Sequence, residues 1–86
     1  MCRYIEELVR HGVLHVNTQD GLIILFKHAG VYLVYYRSGS GRLIVSLDED
    51  CKPRIAIFRG FAADIVDKKI SEVLKFIRKV YEAIKK

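Results

Sequence analysis

Three histidines and two cysteines are the side chains of this 86-residue sequence best suited to bind a metal ion. No pair among them has zinc-finger spacing, and Gly12 separates His11 from His15, so these two do not share one helical face. The adjacent carboxylates of Asp48–Asp50 lack the alternating pattern and the final glutamate of a calcium loop. The sequence therefore predicts no metal site and no cofactor.

Nucleophilic chemistry has no better support. No Ser, His and Asp set and no Cys and His set can be identified from spacing, and we therefore expect a protein that is not an enzyme. The segment Arg37–Arg42 places a glycine–serine loop between two arginines, whose guanidinium groups and backbone N–H groups could hold a phosphate. It is not a P-loop, because it lacks the Gly-Lys-Ser/Thr ending and a following helix. An ordinary hairpin loop is the alternative.

Tyr32, Tyr35 and Tyr36 share one predicted strand. Alternation places Tyr35 on the opposite face from the other two rings, so at least one ring is expected to lie outside the monomer core. An aromatic ring exposed on a sheet beside Arg and Lys can stack on unpaired bases. Packing in a core or between subunits is the alternative interpretation.

The C-terminal segment carries nearly all the net charge. Residues 67–86 contain seven basic and three acidic residues, which accounts for +4 of the chain's +5. Such a helix face could contact phosphates, or it could be a solvated face with i,i+4 ion pairs. The residues that we predict to bind nucleic acid are Arg37, Arg42, Lys52, Arg54, Arg59, Tyr35, Lys75, Arg78 and Lys79.

The elements that position these residues follow from apolar periodicity and from the glycines. The pattern predicts helices over Arg3–His11 and from the segment 61–64 to Lys85, and strands over Val13–Val16, Leu22–Lys27, Val31–Arg37, Arg42–Leu47 and Arg54–Phe58. Short links, including a three-residue link at 28–30, imply antiparallel neighbours. The prediction is a single α+β domain, residues 1–86, in the order α-β-β-β-β-β-α: an antiparallel meander flanked by a short N-terminal helix and a long amphipathic C-terminal helix.

Apolar surface exceeds what this fold can cover in a monomer. The strands at 22–27 and 31–37 are apolar on both faces, whereas two helices can cover only one face of a small sheet. A helix of about 33 Å also overhangs strands of about 20 Å. We therefore expect a homodimer, with an interface formed by Phe76, Val80, Tyr81 and Ile84.

Composition indicates the cellular setting. Asn17, Thr18 and Gln19 are the only residues of their types, and such depletion is typical of thermophiles; we interpret the source as a hyperthermophilic archaeon or its virus. No long apolar run and no signal-peptide pattern is present, so the expected compartment is the cytoplasm. Cys2 and Cys51 are too few for a disulfide scaffold. Two free thiols are favoured over a bridge between them.

The expected function is that of a small basic nucleic-acid-binding protein, with single-stranded DNA or RNA favoured as the ligand. The alternative is a protein–protein interaction module, or a small subunit of a larger complex, without catalytic activity. Excess apolar surface supports the alternative, whereas the basic residues and Tyr35 support nucleic acid.

Overall fold

One antiparallel sheet with two helices is seen in the computed structural model, which describes residues 3–12 and 15–85. The elements are α1 (Arg3–Arg10), β1 (His15–Asn17), β2 (Gly21–His28), β3 (Val31–Ser38), β4 (Gly41–Leu47), β5 (Pro53–Arg59), a 3₁₀ turn (Ala63–Ile65) and α2 (Val66–Lys85). The strands lie side by side in chain order. This confirms the predicted fold class and element order. Val13 and Leu14, which the sequence places in the first strand, lie outside the described residues.

Two tight hairpins set the register of the central strands. His28 pairs with Val31, so the link between β2 and β3 has two residues rather than the predicted three. Both of them, Ala29 and Gly30, have positive φ, 51° and 79°, the backbone of a type I′ turn that follows the sheet twist. Between β3 and β4 the pairing runs to Ser38 and Gly41, which also leaves a two-residue turn.

The core lies on one face of the sheet, here called the core face. Alternate residues of β2, β3 and β4 point into it and are buried: Ile23, Leu25, Val34, Tyr36, Leu43, Val45 and Leu47. Both helices supply the opposing layer through Ile5, Leu8, Val66, Ile70, Val73 and Ile77. Their i, i+3, i+4 spacing is the stripe that an amphipathic helix buries.

Helix α1 covers the C-terminal half of α2. The rings of Tyr4 and Tyr81 lie 6.2 Å apart between centroids, and Val80 is packed against the core. At the other end of α2, Phe61 precedes the helix and stacks on Tyr36 at 6.2 Å. Its ring occupies the space where Gly41 has no side chain, since a Cβ there would lie 2.5 Å from it.

The second face of the sheet, here called the open face, carries the residues that alternate with the core. Its members in β1 are His15 and Asn17, and those in β2 to β5 include Leu22, Ile24, Phe26, Leu33, Tyr35, Arg37, Arg42, Ile44, Ser46, Ile57 and Arg59. None of them belongs to the hydrophobic core or packs against it. Both helices lie on the core face, so neither helix covers the open face.

Candidate functional site

Three arginines form a row across the open face. Arg37 pairs with Arg42 between β3 and β4, and Arg42 pairs with Arg59 between β4 and β5. We call this set the arginine row. Neighbouring strands lie about 4.8 Å apart, so the row extends over about 10 Å. All three side chains are exposed.

The arginine row has no carboxylate partner in the described part of the chain. The salt bridges there join Arg10 to Glu6, Lys69 to Glu72 and Arg78 to Glu82. Like charges placed directly opposite each other on a sheet are destabilising. The row is therefore an uncompensated positive surface, and an anion bound along it would relieve the mutual repulsion of the guanidinium groups.

Apolar and aromatic side chains border the row on the open face. The next set of opposed residues is Ile24, Tyr35, Ile44 and Ile57, in that order across four strands. Tyr35 is half-buried, two residues before Arg37 on the same strand. A flat aromatic ring beside guanidinium groups is the arrangement on which unpaired bases stack while their phosphates meet the cations.

Asp20 holds the end of β3 that carries the row. Its carboxylate accepts hydrogen bonds from Thr18 Oγ1 at 3.0 Å and from the Tyr36 hydroxyl at 3.2 Å. Its backbone oxygen accepts one from Ser38 Oγ at 3.1 Å. The bond from Thr18, with that from Tyr36, holds the pKa of Asp20 below its usual range. The residues on either side of Arg37 are thus tied to the turn between β1 and β2.

A turn held by Asp48 positions Lys52 just before β5, at the opposite end of that strand from Arg59. Asp48 accepts hydrogen bonds from the backbone N–H groups of Lys52 and Asp50, both at 2.9 Å, and the pKa of its carboxyl is lowered chiefly by the first of these bonds. Lys52 precedes β5, whereas Arg59 ends it. The strand therefore separates Lys52 from the arginine row, although the sequence analysis grouped them as residues predicted to bind nucleic acid.

Three predicted basic residues lie together at a groove between β5 and α2, here called the edge groove. Arg54, Lys75 and Arg78 line its walls, over a floor that includes Tyr4 and Leu74; its volume is ≈ 530 Å³. Arg78 is engaged by Glu82 at 3.8 Å and lies 6.0 Å from the Tyr4 ring. Lys79 is exposed on α2. The structure thus divides the predicted nucleic-acid-binding residues between the open face and the helix side.

The residues predicted to form an interface have more cover in the monomer than the sequence suggested. Phe76, Val80 and Tyr81 are partly buried against the core, and Phe76 lines a small pocket together with Tyr36. The predicted overhang of α2 is shorter because the strands reach eight residues and α1 packs beside the helix end. Ile84 remains exposed, at 46%.

The His, Cys, Asp and Glu side chains of the described residues are dispersed. No three His, Cys, Asp or Glu side chains converge there on a common point. Cys51 takes part in a disulfide, so the preference for a free thiol at this position was wrong. Cys2 lies outside the described residues. Cys51 has a left-handed backbone, φ 62°, in the tight turn after β4, where its N–H donates to the Asp48 carbonyl at 3.1 Å.

The alignment of the arginine row was only half visible in the sequence. Arg37 and Arg42 are symmetric about the Gly39–Ser40 turn, so a two-residue hairpin puts them opposite each other. Arg59 joins them through the pairing of β4 with β5, whose register shifts between Val45 and Leu47. Sequence spacing alone does not reveal such a shift, because the extra residue lies within an apolar strand.

Comparisons with known proteins found no match among protein-family models, curated proteins or solved structures. No helix in the described ranges has the length and apolar character needed to cross a membrane. The candidate site is therefore judged by its own geometry, which is a basic row beside an aromatic and apolar sheet face.

Proposed function

We propose that the protein binds single-stranded nucleic acid, RNA or DNA, across the open face of its sheet. The arginine row carries this proposal. At the roughly 3.4 Å rise per nucleotide of a stacked strand, its length of about 10 Å corresponds to about three phosphates. A flexible single strand can follow this row, whereas a duplex presents its phosphates on a rigid cylinder about a groove.

Tyr35 supplies the second part of the site. A nucleic-acid strand whose phosphates lie on the arginine row can direct its bases along the open face. The bases then lie over the neighbouring set of opposed residues, which includes Ile24 and Tyr35. Stacking of a base on an aromatic ring contributes about 1–3 kcal/mol and tolerates any base. The proposed binding is therefore weakly selective for sequence and strongly dependent on salt.

The basic residues at the edge groove support a competing placement for the same ligand. Lys75 and Lys79 are exposed along α2. Glu82 already engages Arg78, whereas the arginine row has no such partner in the described ranges. The open face is therefore the better site, and variants on each side of the molecule separate the two placements.

Fluorescence anisotropy with a labelled single-stranded oligonucleotide tests the proposal. We expect Arg42→Ala to weaken binding about five- to tenfold and to reduce the slope of log K against log salt by about 0.7, the value for one phosphate contact on a single strand. Arg10→Ala is the matched control, because Arg10 is exposed and pairs with Glu6 on α1. It removes the same charge and should have little effect.

Two outcomes would contradict the proposal in different ways. If the wild-type protein binds neither RNA nor single-stranded DNA at about 50 mM salt, nucleic-acid binding is wrong. If Lys75→Ala with Lys79→Ala abolishes binding and Arg42→Ala does not, the function stands but the ligand lies on the helix side.

The apolar content of the open face supports a second candidate, a protein-interaction module. Ile24, Leu33 and Ile44 lie on this face outside the hydrophobic core, and a contiguous apolar surface often contacts another protein. If the protein binds an oligonucleotide and neither Tyr35→Ala nor Arg42→Ala weakens this binding, the open face is better explained as a protein-interaction surface.

A further inference from the structure

Strand β5 is a long unpaired edge of the sheet. It has seven residues and pairs with β4 on one side only in the described ranges, whereas the opposite edge strand, β1, has three. Proteins normally shorten, charge or cover such edges, since the free backbone groups invite another strand. Proline, which would block pairing, occurs in β5 only at its first residue, Pro53.

Two isoleucines of this strand are the most exposed large apolar residues in the described part of the chain. Ile55 is 66% exposed and Ile57 is 68% exposed, while Phe58 is 39% exposed. Ile57 lies on the open face opposite Ile44. Leaving this apolar surface in water costs free energy that a paired strand would recover.

The hydrogen bonds of Ser46 show which backbone groups of β5 point outward. Ser46 Oγ accepts from the Ile55 N–H at 3.1 Å and donates to the Ile55 carbonyl at 3.5 Å. Both backbone groups of Ile55 therefore face β4. Because these groups alternate along a strand, the N–H and C=O of Ala56 face outward, where they can bond to a second strand.

The centre of β5, Ile55–Ala56–Ile57, is symmetric about Ala56. Reading outward from it, Ile55 corresponds to Ile57, and Arg54 corresponds to Phe58. A two-fold antiparallel ladder pairs each residue with the mirrored position of the other copy, so mirrored positions must be complementary to each other. We propose that two copies of the chain pair through β5 in an antiparallel ladder whose two-fold axis passes beside Ala56.

In this register the five central residues form compatible cross-strand pairs, and Pro53 lies opposite Arg59 at each end of the ladder. Ala56 of each copy exchanges two backbone hydrogen bonds with Ala56 of the other, and Ile55 lies opposite Ile57 as a close apolar pair. Arg54 lies opposite the ring of Phe58, a cation–π pair. No arginine faces an arginine, in contrast to the arginine row within each subunit.

Neighbouring registers fit less well. A ladder centred on Ile57 would place Arg59 opposite Ile55, and one centred on Ile55 would place Pro53 opposite Ile57 and leave Phe58 beyond the paired strand. Charge and apolar pairing thus select the register centred on Ala56. The occupant of the edge is a second copy, because a foreign strand would have no reason to match this internal symmetry.

The consequence is one continuous sheet of ten strands, formed from two of five. A two-fold axis perpendicular to the sheet keeps both helix layers on the same side, so the two open faces also join into one surface. The two arginine rows then lie toward opposite ends of it. This inference goes beyond the proposed nucleic-acid binding and does not depend on it.

Sedimentation of the full chain tests the interface. The wild-type protein should form dimers at micromolar concentration, and Ile57→Lys should weaken dimerisation at least about tenfold, because a lysine on an edge strand opposes pairing. Ile84→Lys is the matched control, since Ile84 is also exposed but lies on α2; it should leave the dimer unchanged. A monomeric wild type, or an Ile57→Lys dimer of unchanged strength, would overturn the proposal.

Cross-linking tests the register without relying on a disruptive variant. In the proposed ladder the two Ala56 Cα atoms lie about 5.5 Å apart, within disulfide range. Under a mild oxidant, Ala56→Cys should give a covalent dimer on a non-reducing gel. Phe58→Cys is the control, because the two copies of that residue would lie about 14 Å apart. Equal cross-linking of both variants, or none of Ala56→Cys, would exclude this register.

Discussion

At the scale of single residues, Asp20 ties the turn before β2 to the site-bearing end of β3. Its carboxylate accepts from Thr18 and from the hydroxyl of the buried Tyr36, and these bonds hold its pKa below the usual range. The lowered pKa means that the folded state favours the ionised form. Stability from this group is therefore present above its unfolded pKa of about 3.9 and is lost as the pH falls through the lower folded value.

We expect Asp20→Asn to lower the free energy of unfolding at pH 7 by about 0.5–1 kcal/mol. This is less than a hydrogen bond to a buried charge contributes, because Asp20 is exposed. The difference from the wild type should shrink as the pH falls below about 4, since protonation removes the same charge there. Urea unfolding at pH 7 and pH 3 measures both values. Thr18→Val, which removes the donor with the largest effect on this pKa, should show the same trend. A difference that is equal at the two pH values would contradict this account.

At the scale of secondary-structure elements, α2 is held along most of its length but not at its end. Ile77 is fully buried in the hydrophobic core, whereas Ile84, two turns later, is 46% exposed. We expect Ile77→Ala to cost about 2–4 kcal/mol of unfolding free energy and Ile84→Ala to cost less than about 0.5 kcal/mol. Chemical denaturation measures both. Similar losses would show that the helix end is buried by a partner, as the sequence had suggested.

The sequence was sufficient to predict the secondary-structure elements but not the residues at which they begin and end. Apolar patterning and the glycines located every strand in the described ranges and the long helix, and in β2, β3, β4 and α2 the pattern corresponds to a buried face. His28 and Ser38 are polar, yet they extend their strands, since the backbone pairing continues to the tight turns. The packing of Tyr81 on Tyr4 is a contact between distant parts of the chain, and no local pattern could have indicated it.

At the scale of the whole molecule, the same limit applies to the candidate site. Tyr35, Arg37 and Arg42 could be grouped in advance, because alternation and one hairpin determine their relative positions. The addition of Arg59 required the register shift between β4 and β5, and the separation of Lys75 from that group required the side on which α2 packs. Both depend on long-range packing, so the charge of the chain was evident from sequence while its division between two surfaces was not.

A dimer joined through β5 couples folding to concentration. If the folded state is a dimer and the unfolded state is two free chains, mass action raises the melting temperature as protein is added. For a unit of this size we expect a rise of about 3–5 °C for each tenfold increase in concentration. Differential scanning fluorimetry over two decades of concentration measures this rise.

Ile57→Lys should flatten the dependence on concentration by removing the dimer, whereas Ile84→Lys should retain it. The two variants are matched, because each adds one charge at an exposed isoleucine. A wild-type melting temperature independent of concentration would show that β5 remains a free edge in solution.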